Sequence, residues 1–314
     1  MSGPAGLHAT AGRAAPEAGG AARSTLRFAA LGDSLTEGIG DPVPGGWRGW
    51  AALLAESLGD GERDVEFRNF AVAGSLSGDV RDHQAAAAAA FRPDVASVVV
   101  GVNDTLRRSF DIRLLAGRLD EICATLASGG AVILTACLPD PGTALGLPAP
   151  LRDPLARRQR AVNAVVHALS ARYDAVHLHA ADRTWVEDRS LWSVDRLHPA
   201  ERGHRKLAAG FHRLLADRGL ALGAPPGPEP QQPPPTRAAA ALWLITEGTG
   251  WLARRSTDLL PQLLGLAVAE IRHRVRGTSG QLDNRAEQTL LEALADVTHA
   301  PSLRGVVPRA RMEG

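Results

Sequence analysis

The sequence predicts a three-layer α/β/α sandwich around a parallel five-stranded sheet, followed by a helical appendage. Three observations lead there. Between residues 26 and 218, short apolar runs of strand length alternate five times with stretches of helical length. Val98-Val99-Val100 is a continuous β-branched run, the pattern of a strand buried on both faces. The residues with chemical potential all fall just after predicted strands, where sheets of this class place their sites.

The elements follow in order. Residues 26–31 form the first strand, and the turn Leu31-Gly32-Asp33-Ser34-Leu35-Thr36-Glu37-Gly38 comes next. Trp47, Trp50, Leu53, Leu54 and Leu58 share a helical spacing, which predicts a helix over 47–58. A strand over 65–70 precedes a helix over 78–90, whose alanine run is a strong helix former. A strand is expected over 94–101 and a helix over 112–127, closed by Gly129-Gly130. The fourth strand is expected over 131–137. Residues 139–150 read as a Pro/Gly-rich loop long enough to overhang a site. A helix over 151–172, a strand over 175–178, an irregular stretch over 180–199 and a helix over 200–218 complete the unit.

Four regions are therefore expected: a disordered leader (1–24), an α/β domain (25–220), a Pro-rich linker (221–236) and a helical region (237–314). The leader has no basic start followed by an apolar run, so it does not read as a signal peptide. In the last region, 238–245, 259–275 and 285–295 look helical, and the chain after about residue 300 reads as disordered. Arginines beside apolar faces in 238–276 suit a membrane surface or self-association. Packing of a helical hairpin on the α/β domain or on a second copy is favoured over the membrane surface, because glycines and Pro261 interrupt a long amphipathic helix.

Composition narrows the function. Lys+Arg 35 against Asp+Glu 34 gives a net charge of +1, which removes the electrostatic reason to expect nucleic acid as a partner. No apolar stretch reaches the ~18–20 residues of a membrane span. Cys123 and Cys137 lack a metal-type spacing and read as reduced core thiols, in keeping with a cytoplasmic protein. Aromatic residues make up only 4% of the chain, which gives little basis for a sugar-stacking platform. His177 and His179 alternate on a strand as zinc ligands can, but no third ligand lies near them in sequence. No metal and no cofactor are expected.

Taken singly, the polar clusters have bland readings as turns and helix starts. Together they supply the parts of an acyl-transfer site. Ser34 is a nucleophile at a strand exit, and His198 is a base with Asp195 three residues earlier to orient it. Gly74 and Asn103, with the Ser34 amide, are the candidate oxyanion donors. Asp33 and Asp104 read as braces for those loops, His204 as a packing or surface residue, and Trp47 and Trp50 as core rather than as lining of an acyl pocket. Trp185 and Trp192 are candidate substrate-binding residues.

These four blocks, Gly32-Asp33-Ser34-Leu35, Gly74, Gly101-Val102-Asn103-Asp104 and Asp195-Arg196-Leu197-His198, resemble those of the SGNH/GDSL hydrolase family, over about residues 26–218. The resemblance implies a flavodoxin-like sheet and cofactor-free esterase, lipase, thioesterase or deacetylase activity on a small-molecule ester. Acyl transfer to an acceptor other than water would use the same site. A scaffold acting through the C-terminal helices is the rival from another class, and the intact motif set argues against it. A dinucleotide-binding protein is excluded by the lack of Gly-x-Gly-x-x-Gly after the first strand.

Overall fold

The computed structural model of the chain describes residues 24–231 and 249–299. Five parallel strands form the sheet: β1 (Ser24–Gly32), β2 (Arg63–Asn69), β3 (Val95–Val99), β4 (Val132–Cys137) and β5 (Val176–His179). Their order is β2-β1-β3-β4-β5, so the chain reverses its direction of travel between β1 and β3. In such sheets the crevice at that switch point holds the site.

The period of two along β1 divides the core. Phe28 and Ala30 face one layer, with α2 (Gly49–Leu58) and α5 (Glu201–Ala216), where Trp50 stacks on Phe211 at 4.9 Å between ring centroids. Ala29 and Leu31 face the other layer. That layer holds α3 (Ile112–Ser128), α4 (Ala149–Arg172) and a segmented helix (Ser77–Asp79 and Ala85–Ala90 around a π turn, Val80–Gln84). Every residue of β3 is buried, as its β-branched sequence demands.

The structure differs from expectation in four places. Trp47 is not helical: it lies in a two-stranded hairpin (Pro42–Val43 with Gly46–Trp47) and is exposed. The helix starts two residues later, at Gly49, where φ is +68° and a side chain would strike the backbone of Gly38. The 139–150 loop contains a helical turn, Pro141–Ala144, capped by Asp140. The irregular 180–199 stretch holds Arg183–Glu187, capped by Asp182, and a 3₁₀ turn at Arg189–Leu191. Pro261 does not interrupt its helix, which runs unbroken as α6 (Thr249–Val275).

α6 and α7 (Ser279–His299) dock on the outer side of α4 and, for α7, of α3. Ala293 and Val297 of α7 are fully buried there, and Arg113 pairs with Glu292 and Asp296 at the rim. Arg157 is clasped by Glu270 and Asp283. α6 leaves Leu264, Val268, Ile271 and Val275 exposed. The start of the expected linker runs along α5: His212 donates to the Gly223 carbonyl, Arg205 to that of Gly227, and Arg202 pairs with Glu229. No helix among the described residues is long and apolar enough to cross a membrane. The expected leader, the 238–245 helix and the tail beyond residue 299 lie outside the described residues.

Candidate active site

β1 delivers Ser34 to the switch point. Gly32, its last residue, has no room for a Cβ, which would collide with the Val99 carbonyl. The Gln84 amide brackets Gly32, accepting from its N–H and donating to its C=O, each at 2.9 Å. Ser34 then opens the short helix α1 (Ser34–Glu37), where Asp33 caps the turn by accepting from the Leu35 N–H.

The segment before α5 brings His198 to the same point. His198 Nε2 lies 2.8 Å from Ser34 Oγ, and its Nδ1 lies 2.6 Å from Asp195 Oδ2. Both side chains of the first pair are almost wholly buried. The two oxygens of Asp195 have separate duties. Oδ1 accepts from the Ser193 hydroxyl at 2.6 Å and from the backbone N–H groups of Leu197 (2.9 Å) and His198 (3.0 Å), which folds the turn through Arg196 at φ +57°. Oδ2 faces the imidazole alone. Burial by itself would raise the Asp195 carboxyl, but the His198 ring and these donors outweigh it and hold it down at about 2.

Asn103 reaches the site from the turn after β3. Its Nδ2 donates to Asp33 Oδ2 at 3.3 Å and to the Ser75 carbonyl at 3.1 Å. Asp104 accepts from the Ser77 N–H and hydroxyl, as a brace would, and burial pushes its carboxyl up despite those bonds. Gly74, at φ +85°, sits in the turn closed by Ser75 N–H to Val72 C=O and does not line the pocket. The pocket itself is an open cleft of about 70 Å³ walled by Ser34, Asn103, Leu138, Trp185, Trp192 and His198. The Trp192 indole N–H donates to the Trp185 carbonyl, which ties the two tryptophans together.

Residues 30–206, more than half of the chain, match the GDSL-like lipase/acylhydrolase family. The chain belongs to that family. This GDSL-like protein is a hydrolase acting on ester bonds. No curated protein sequence matches it. Among solved structures it is similar to a mutant of Axe2, an acetyl-xylooligosaccharide esterase from Geobacillus stearothermophilus, at 18% identity over 61% of this chain and 94% of that one, with a TM-score of 0.50. TesA matches at 21% identity over 61% and 99% (TM-score 0.49), and the lipase/acylhydrolase of Enterococcus faecalis at 16% over 63% and 98% (TM-score 0.48). At these identities the likeness is one of fold.

The GDSL-like hydrolase also uses residues that its motifs do not single out. His204 is fully buried: its Nδ1 accepts from the Trp50 N–H and its Nε2 donates to the Ile39 carbonyl, clamping the loop after α1 to the start of α2. Burial, the largest influence, pushes its pKa down to about 4. Asn69 donates to the Thr36 carbonyl and Glu37 accepts from the Ala73 N–H, so the turn holding Gly74 is fastened to α1. Asn69 lies at a strand end, a position that marks it in hindsight. Gln84 carries no such mark, because a π turn has no sequence pattern. No third candidate lies near His177 and His179 in sequence, but the fold brings the side chains of Cys137 and His167 to them.

Proposed function

We propose that the protein hydrolyses short-chain carboxylic esters through an acyl-enzyme on Ser34. The observation that carries this reading is the unbroken line Ser34 Oγ, His198 Nε2, His198 Nδ1, Asp195 Oδ2, with steps of 2.8 and 2.6 Å across the ring. His198 Nε2 takes the Ser34 proton as Oγ attacks the ester carbonyl carbon, and the imidazolium is stabilised by the ionised Asp195. Collapse of the tetrahedral intermediate expels the alcohol, which leaves with the proton from His198. Water, deprotonated by the same nitrogen, then attacks the acyl carbon and restores Ser34.

The oxyanion falls to the Ser34 amide and the Asn103 side chain. The long 3.3 Å donation from Asn103 to Asp33 is the one a developing oxyanion replaces, while the bond to Ser75 keeps the amide in place. Gly74, on the turn that Asn69 and Glu37 fasten to α1, is the third donor in this reading. Trp185, Trp192 and Leu138 form the acyl wall. A water needs roughly 10–15 Å³ by the same measure of volume, so about 70 Å³ has room for a short acyl group.

The test is a p-nitrophenyl ester series from acetate to palmitate on the full chain, with Ser34→Ala alongside. Turnover is expected to peak at acetate to butyrate and to fall by a factor of ~10³ or more in the variant. Equal rates for the two proteins overturn the mechanism, and a maximum at palmitate overturns the short-chain assignment.

A further inference from the structure

A second cluster of reactive side chains lies at the sheet edge, on the far side of the pocket wall. Cys137 ends β4, His177 and His179 alternate along the edge strand β5, and His167 reaches over from α4. Their ligand atoms all lie within 4.8 Å of one another. The three imidazoles meet edge to face with centroids 4.5–5.2 Å apart, and Cys137 Sγ lies 3.8 Å from His179 Nδ1. The neighbouring hydrogen bonds fix how one of them is protonated. The Ser170 hydroxyl donates to the Val166 carbonyl, so its oxygen accepts from Thr135 at 2.7 Å. Thr135 Oγ1 then has only lone pairs left for His177, 2.9 Å away, and Nδ1 of that ring must donate. The Nε2 lone pair of His177 is left buried, with no partner among the described residues.

We infer that Cys137, His167, His177 and His179 form a binding site for a divalent transition metal, with zinc the ion that best suits one thiolate and three imidazoles. Thr135 and Ser170 hold His177 in the tautomer that a ligand through Nε2 requires, as the outer partners of metal-bound histidines do. A tetrahedral zinc with bonds of ~2.3 Å to sulfur and ~2.0–2.1 Å to nitrogen sets ligand atoms ~3.3–3.6 Å apart. Closing from the present spacing takes rotamer adjustments of His167 and His179, and both are exposed and able to make them. Four protein ligands complete the coordination, so the ion is a staple and not a reaction centre. It would pin edge strand β5 to β4 and α4. Leu138 and Ala180, the residues directly after Cys137 and His179, line the ester pocket, so the staple also sets that wall.

The test uses untagged full-length protein, stripped with chelator and titrated with Co²⁺ and then Zn²⁺. One equivalent of Co²⁺ is expected to bind with tetrahedral d–d bands and a thiolate-to-cobalt charge-transfer band, and Zn²⁺ is expected to displace it and raise Tm. The double variant His167→Gln/His179→Gln, changed only at exposed positions, should lose affinity by roughly 100-fold or more. Cys137→Ser should lose the charge-transfer band. Should the serine variant fail to fold, the double variant and the wild-type spectrum decide by themselves. Metal uptake that is absent, or undiminished in the double variant, overturns the site. Co²⁺ bound without the charge-transfer band overturns the role of Cys137.

Discussion

Asp195→Asn separates the two duties of one carboxylate. Oδ1 builds the turn by accepting three hydrogen bonds, and Oδ2 meets only the His198 ring. An asparagine that keeps its carbonyl oxygen at the Oδ1 position preserves the turn and points its NH₂ at Nδ1. Two donors cannot face each other, so the imidazole shifts its proton to Nε2, where it opposes the Ser34 hydroxyl and can no longer accept from it. Turnover on p-nitrophenyl acetate is expected to fall ~10²–10⁴-fold, while the neutral-pH stability changes by no more than about 1 kcal/mol. Asp195→Ala removes the turn bonds as well. At ~1 kcal/mol for each of the three bonds, Tm should drop by roughly 5–15 °C. Acid unfolding provides a second readout. The wild-type carboxyl is held at about 2, below its unfolded value, so its contribution is complete above pH ~4 and is lost as pH falls through 2. Both variants should lack that acid-dependent step, which in the wild type is on the order of 2 kcal/mol. An Asp195→Asn enzyme within a few-fold of wild type, or one as unstable as Asp195→Ala, refutes the division of labour.

Two further outcomes follow from packing and burial. His204, with a folded pKa of about 4 against 6.5 unfolded, faces Asp41, Arg48 and His198 and must stay neutral in the fold. Unfolded chains bind its proton first, so stability should decline by on the order of 2–3 kcal/mol as pH falls from 6.5 to 4. Urea melts of His204→Gln should show that slope reduced, and an unchanged slope rejects the assignment. Ala293→Glu places a charge in the fully buried seam of α7, a cost of several kcal/mol met most easily by releasing the helix pair. Limited proteolysis should then cut within 249–299 while 24–231 stays intact and ester hydrolysis persists, whereas loss of both together would make the appendage part of one cooperative unit.

Much of this was legible because it is periodic or local. The strands, the three-layer arrangement and the C-terminal end of α3 follow from alternation, helical spacing and the Gly129-Gly130 boundary. Ser34, Asn103, Asp195 and His198 sit at strand ends or on a tight turn, so the fold class alone brings them to one edge. What escaped depends on contacts made across long separations. Trp47 shares the helical spacing of Trp50, but the backbone contact of Gly49 with Gly38 starts the helix late. His204 looks like any helix residue until Trp50 and Ile39 close on it. Cys137 and His167 lie 30 residues apart by number and on different elements, so no spacing rule could have joined them to His177 and His179.

The distance along the chain between Ser34 and His198 has a consequence for biosynthesis. The two lie 164 positions apart, and the segment carrying His198 is anchored by Gly203 of α5 against the Leu191 backbone and by Pro199, just before α5, against Gly40. On the proposed mechanism, a ribosome-bound fragment that has extruded β1 and Ser34 still lacks its base. It gains that base only when α5 docks, so an ester added during synthesis would time the docking of α5.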